Sequence, residues 1–408
     1  MDTAAGNNAW IIVSAALVLF MVPGLALFYG GMSRSKNMLN MLMMNMICLG
    51  IVPIFWVVIG YTLSSTGTDN GWIGTLDFVF LQDINVIGDD GGERLRNVFY
   101  ALTFACITPA LISGAVADRL KFSAWIAFVP LWMLLVFTPA WAWVFKEGGS
   151  GWLAARGSLD FAGGTVVHVA AGSASLAFAM VLGRRRGWPD EPMIPHNLPF
   201  TMIGAGILWF GWFGFNAGSA FAANNVAIQA FANTFIAGAA AMLSWLAVEK
   251  IRDGHATSLG AASGIVAGLV GITPGAGFMG VAGALAVGLI AGALCALAVR
   301  LKFRFKFDDA LDVVGVHLAG GLIGGVLIGV FASPESLGGE FAAGLIEGGG
   351  AGLLGEQILA NVVVGVFSFV VTYGLVKVLD LTIGLRVEVD QEREGLDTTQ
   401  HAETAYNN

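Results

Sequence analysis

Charge is scarce in this chain: Asp, Glu, Lys and Arg together make up 12% of its 408 residues, too little to keep the surface of a soluble domain of that size wetted. Cysteine is also sparse. Cys48, Cys106 and Cys295 stand singly in apolar stretches without metal-ligand spacing, so they are expected to pack as small apolar groups rather than to build a disulfide framework or a metal centre. There is no basic excess, since 20 Lys and Arg face 28 Asp and Glu for a net charge of -8, which argues against a nucleic-acid partner. Segments of about ten residues with alternating polarity are missing as well, which excludes a closed membrane barrel. The opening MDTAAGNNAW lacks the basic flank of a secretory leader, so the first apolar run is expected to be a retained helix with its N-terminus outside.

What fills the chain instead is 56% apolar residues and 57 glycines. The charges fall in short clusters separated by apolar stretches of about 20 residues, the length that crosses the hydrocarbon of a bilayer. Helices are expected near 8–30, 38–63, 97–116, 122–145, 162–182, 197–216, 226–248, 257–273, 278–300, 313–332 and 354–380, giving an all-α polytopic membrane protein with eleven transmembrane helices. Lys and Arg fix the orientation. With the N-terminus outside, the inner connections hold Arg34, Lys36, Arg119, Lys121, Arg184 to Arg186, Lys250, Arg252, Arg300, Lys302, Arg304 and Lys306, and the tail adds Lys377, Arg386 and Arg393. The outer connections keep Arg94, Arg96, Lys146 and Arg156, with Asp69, Asp77, Asp83, Asp89, Asp90 and Glu93 in the longest. The expectation is therefore N-out/C-in. An acidic outer mouth would also raise the local concentration of a cation.

Eleven crossings divide into two sets of five plus a final helix. The transmembrane domain, 1–383, then comprises halves of about 8–182 and 197–332 and an eleventh helix of about 354–380; an odd number per half allows a 5+5 inverted repeat. The halves share one feature: Asp160 precedes His168 by eight residues in DFAGGTVVH, and Asp309 precedes His317 by eight in DALDVVGVH. Both histidines fall in the last helix of their half, so inverted copies would bring them face to face. The glycine strings FGWFGFNAGSA (210–220) and LAGGLIGGVLIGV (318–330) read as close helix packing, not as phosphate loops. Residues 384–408 form a polar cytoplasmic tail, either a disordered end or an arm docked on the inner face.

Of five histidines, His196, His255 and His401 fall in loops or the tail and need no account at this point. His168 and His317 do, because an ionisable group within a membrane helix faces the protein interior and marks a substrate or proton path. Two imidazoles sharing one proton can each donate or accept while resisting a second charge, which suits a weakly acidic cation such as ammonium. Selecting that cation against potassium calls for aromatic faces and an N–H acceptor. Candidates at the outer helix ends are Tyr100, Phe104, Trp143, Phe145, Trp212, Phe215 and Ser219. Asp160 is positioned to cap the start of the fifth helix, to supply a fixed negative charge near the cation, or both.

These residues stand in long strings that resemble the ammonium transporter family (Amt/Mep/Rh): PGLALFYGGMSRSKN, FACITPALISGAVADR, GSLDFAGGTVVH, PHNLP, GWFGFNAGS, FANT, SGIVAGLVGITPGAGF, DVVGVHLAGG and REGLDTTQHAETAY. The resemblance spans nearly the whole chain. It implies a homotrimer of eleven-helix subunits in a prokaryotic plasma membrane, each subunit with its own pore, taking up ammonium without a cofactor or enzymatic step. By the same resemblance His168 and His317 are the twin histidines, Phe104 and Phe215 the gate, Trp212 the pore wall, and Asp160 the essential aspartate. Tyr100, Phe104, Phe145, Ser219 and Asp160 fall on outer recruitment, and the tail on a segment that communicates between subunits and answers to a PII-type signalling protein. One departure is visible. Where the family reads Trp and a short Gly run before DFAGG, this chain reads WAWVFKEGGSGW, with Phe145 at the Trp position and a few added residues behind it; Trp143 or Trp152 is then expected to supply the missing face.

Transport predicts electrogenic uptake, with ammonia crossing the histidine-lined pore and the proton using the histidines. Two rivals are an ammonium sensor with little flux and a haem protein ligated by the two histidines. The short stretch after the last helix favours transport, because family sensors tend to carry an output domain there.

Overall fold

The computed structural model describes residues 3–68, 70–84 and 91–406, so Asp69, Asp89 and Asp90 lie outside the described residues. Among the described residues eleven helices are long and apolar enough to cross a membrane: α1 (Thr3–Met32), α2 (Ser35–Ser65), α3 (Gly92–Val116), α4 (Phe122–Phe145), α5 (Gly164–Leu182), α6 (Leu198–Gly218), α7 (Asn225–Asp253), α8 (Ser258–Gly275), α9 (Val281–Phe305), α10 (Val314–Phe331) and α11 (Gly352–Thr382). Each expected helix overlaps one of these. At about 1.5 Å per residue even the shortest covers roughly 27 Å, and large apolar side chains such as Ile54, Phe235, Leu289 and Val366 point outward as lipid-facing residues do.

The first helices of the two halves, α1 and α6, pack along each other, and so do the last two, α5 and α10. Glycine makes both contacts close. A Cβ on Gly204 or Gly214 of α6 would run into the backbone of Phe28 or Ser14 in α1. One on Gly172 of α5 would collide with the backbone nitrogen and Cα of Leu318, and one on Gly321 of α10 would sit 3.1 Å from the Val169 backbone nitrogen. Backbone thus rests on backbone where the two histidine helices cross, as lipid-embedded helices require when packing alone holds them together.

The two ends of the bundle differ. One carries the connections 66–84 and 146–163. The other carries Arg34, Arg119, Arg185, Arg252, Lys302 and the tail, which packs along this face through helices Val389–Glu394 and Leu396–His401. Its backbone joins residues 119–121, with Val387 N–H donating to the Arg119 carbonyl (3.1 Å) and Lys121 N–H to that of Leu385 (2.8 Å). Further along, Leu396 N–H donates to Asn37 Oδ1 and Asn40 N–H to Asp397 Oδ1, each 2.8 Å. His401 Nε2 meets Asn40 Oδ1 at 3.0 Å, and His196 Nε2 meets the Tyr406 hydroxyl at 2.8 Å. Of the two readings left open for the tail, the docked arm is the one observed, and two histidines set aside from the sequence hold it.

Beneath the tail, Arg185 binds Asp308 through Nη2 and Nε at 2.8 and 3.0 Å and lies 3.5 Å from Asp118. Burial pushes the Asp308 carboxyl upward, yet Arg185 and Arg119 pull harder and hold it below the usual carboxylate range.

Candidate functional site

The site begins with two chain reversals that hold the histidines. Before α5, Gly163 adopts φ 98°, a conformation that disfavours side chains, and the Asp160 carboxylate accepts from four successive backbone N–H groups, those of Gly163, Gly164, Thr165 and Val166, at 2.7–3.3 Å. Those are the free donors of a helix start. The helix then opens into a wide π-type turn over Gly164–Val169 before tightening. Before α10, the Asp309 carboxylate accepts from Val313 and Val314 at 3.1 and 2.7 Å, and Val314–Leu318 forms the matching π-type turn. Such turns shift the register of a helix and recur at functional sites; here each places its histidine in the bundle interior.

The two rings meet with His168 Nδ1 3.2 Å from His317 Nδ1 and centroids 5.2 Å apart. One nitrogen donates and the other accepts, so a single proton is shared; the ring that donates leaves its Nε2 free to accept, and the other carries N–H there. His168 Nε2 is buried without a hydrogen-bond partner in the protein. It borders a narrow cavity of about 10 Å3, room for one water-sized molecule, lined otherwise by apolar residues including Leu25, Ile107, Leu208 and Val266. Trp212 stacks beside His168 at 5.4 Å, its indole N–H donating to Thr273 Oγ1 at 2.8 Å. The facing nitrogens meet each other at 3.2 Å with the ring centroids 5.2 Å apart, which leaves no room between the two imidazoles for the macrocycle of the haem rival.

Phe215 lies 6.0 Å from His168 and pairs with Phe104 at 4.2 Å. Tyr100 abuts Phe104 edge-on at 5.0 Å, and its hydroxyl lies 2.9 Å from the carbonyl oxygens of Gly214 and Phe215 and 3.2 Å from Ser219 Oγ. Beyond this floor opens an aromatic mouth of about 330 Å3, lined by Tyr61, Trp141, Phe145 and Phe221 with Glu93, Arg94 and Glu147.

Placement differs from expectation at three points. Of the five residues expected at recruitment, Phe145 lines the mouth, Tyr100, Phe104 and Ser219 lie beneath it, and the Asp160 carboxylate is occupied by the backbone at the start of α5. Trp143 packs on Phe367 and, with Trp152, on Trp72, so neither supplies the aromatic face expected of it. Trp141 stands there instead, 5.8 Å from Phe104 and 4.8 Å from Phe145. Helical spacing carries that signal: residues 141 and 145 are one turn apart on one face, whereas 143 points away. Thr273, Arg94 and Glu147 also escaped the sequence reading.

Residues 9–406 match the Ammonium Transporter Family. An ammonium transporter of Mycobacterium tuberculosis is 51% identical over 430 residues, covering 98% of this chain and 90% of that protein. The crystal structure of Saccharomyces cerevisiae Mep2 superposes with a TM-score of 0.87 at 34% identity, covering 95% and 88% of the two chains, and a structure described as a sensor Amt protein does so with 0.90 at 29%, covering 98% and 99%. With a paired-histidine lumen inside eleven apolar helices, the chain belongs to the ammonium transporter family and is a multi-pass membrane transport protein for ammonium.

Proposed function

We propose that the cation is drawn to the aromatic mouth, loses its proton at the Phe104–Phe215 constriction, and crosses the lumen as ammonia, while the proton passes through the shared hydrogen bond of His168 and His317 so that net charge moves. The observation that carries this reading is the Nδ1–Nδ1 contact beside a narrow, largely apolar cavity. A bare cation is costly in such a lumen, whereas ammonia needs only the donor and acceptor that the pair presents. In this scheme Tyr100, Phe104, Phe145 and Ser219 shape recruitment, Asp160 holds the α5 start, and Trp212 walls the pore.

The mouth faces outside in this reading, because basic residues crowd the opposite, tail-bearing face. The packing of α1 on α6 and of α5 on α10 supports inverted halves, with 1–383 as the membrane domain and 384–408 as a cytoplasmic arm. The reading extends to a prokaryotic plasma-membrane homotrimer and to a PII-type protein meeting the tail face.

The test is an ammonium jump on proteoliposomes adsorbed to a solid-supported membrane. An ammonium-specific current, absent with potassium and reduced at least about a hundredfold in His168→Ala, is expected. Ammonia flux without current would overturn the charge-moving route. The sensor reading is favoured by the likeness to the sensor Amt protein; ammonium binding with neither flux nor current would establish it.

A further inference from the structure

Helix α3 opens at the aromatic mouth with Arg94, a cation at the threshold of a path for cations. Its guanidinium is engaged on three sides: Nη1 lies 2.6 Å from Glu147 Oε1 and 3.5 Å from the Tyr61 hydroxyl, and Cζ sits 4.7 Å over the Phe78 ring. Among the described residues, the adjacent Arg96 is paired with Glu93 at 3.2 Å. Glu147 stands two residues behind Phe145. Its neighbour Lys146 turns the opposite way, buried, with its ammonium on the carbonyls of Asn70 and Ile73. The segment therefore delivers a carboxylate to the mouth while keeping its own positive charge away.

We propose that Glu147 masks the charge of Arg94, so that the aromatic walls of the mouth can draw in ammonium. Uncovered, a guanidinium lining this cavity repels every approaching cation, and more so in a partly dehydrated aromatic space than in bulk water. Both side chains reach solvent, at 32% and 39% exposure, so the effect is screened by salt. This inference rests on the mouth being the point of uptake.

Ammonium currents on proteoliposomes test it, with folding checked by gel filtration and thermal unfolding in detergent. Glu147→Gln is expected to raise the half-saturating ammonium concentration about three- to tenfold at low ionic strength, with less effect at about 150 mM salt and an unchanged maximal current. Removing the exposed cation as well, in Arg94→Met/Glu147→Gln, is expected to restore half-saturation to within about twofold of the parent, which loss of a merely structural contact would not do. A Glu147→Gln shift that is insensitive to salt and not rescued by Arg94→Met overturns the proposal. Trp141→Leu separates the two levels of the argument: if it weakens half-saturation while Glu147→Gln changes nothing, masking fails and the mouth stands. If neither variant moves it, both fail.

Discussion

The segments that present the two histidines share their spacing, their capping aspartate and their π-type turn, yet their surroundings differ. At His168, Asp160 is held by four backbone N–H groups with no cation beside it in the hydrogen-bond network, and Trp212 stacks on the ring. At His317, Asp309 accepts two backbone N–H groups, Lys302 binds the Asp309 carbonyl at 3.1 Å and the Asp312 carboxylate at 2.7 Å, and neighbouring Asp308 joins the arginines under the tail. The geometry that faces one imidazole to the other is duplicated; the electrostatics that hold it are not. One segment is fixed by its own backbone, the other by charges shared with the cytoplasmic face of our reading.

The largest effect should come from breaking the caps. Asp160→Ala strands four backbone donors and is expected to cost about 4 kcal/mol or more of stability, against about 2 kcal/mol for Asp309→Ala, which strands two. Unfolding in mixed detergent micelles would measure both, and equal losses would erase the distinction drawn between the segments. A smaller effect sharpens the asymmetry at the rings. Thr273→Val leaves the buried Trp212 indole N–H without an acceptor, at a cost of about 1–3 kcal/mol. The variant is expected to slow the ammonium current about threefold through a loosened wall on His168, leaving Glu147 and the mouth unaffected; unchanged current in a destabilised protein would assign Trp212 to packing alone.

The smallest effect concerns the tail that borders the His317 segment. Burial holds His401 below its ordinary value, outweighing the opposing influence of Asp397 and Glu403. A lowered histidine favours the docked arm when neutral, so docking is full above the free value of about 6.5 and weakens as pH falls below it. Asp397 shifts the other way: burial raises its carboxyl, so its opposing contribution, favouring docking when protonated, belongs to the carboxylate range at lower pH. Between pH 7.5 and 5.5, amide exchange at 396–401, corrected for its intrinsic pH dependence, is expected to rise a few-fold and to precede any change at 163–166. Simultaneous change at both places would mean the two segments are not independently anchored.

Much of this architecture is legible in the sequence because bilayer thickness writes itself as apolar length: all eleven helices follow from hydropathy and charge clusters. The equal spacing of Asp160 to His168 and Asp309 to His317 also brings out the paired site, since intramembrane histidine is rare enough to single out. What the sequence conceals is local. An extra residue in a helical turn leaves no compositional trace, so the π-type turns that aim the histidines are invisible. Trp141 is marked by helical phase alone, one turn before Phe145, and not by nearness to it in the chain. Beyond its backbone pairing with residues 119–121, the tail's docking rests on single hydrogen bonds involving Asn37, Asn40, His196 and His401, residues with no periodicity to mark them.

The contact of Gly172 with Leu318 has a mechanical consequence. A proton passes between two nitrogens only within a tolerance of tenths of an ångström, and side chains at an ordinary helix crossing slacken by more than that as they change rotamer. With a glycine on each side of the crossing, the α5 and α10 backbones seat closely on one another, so the frame from which the two imidazoles reach has little side-chain slack to lose.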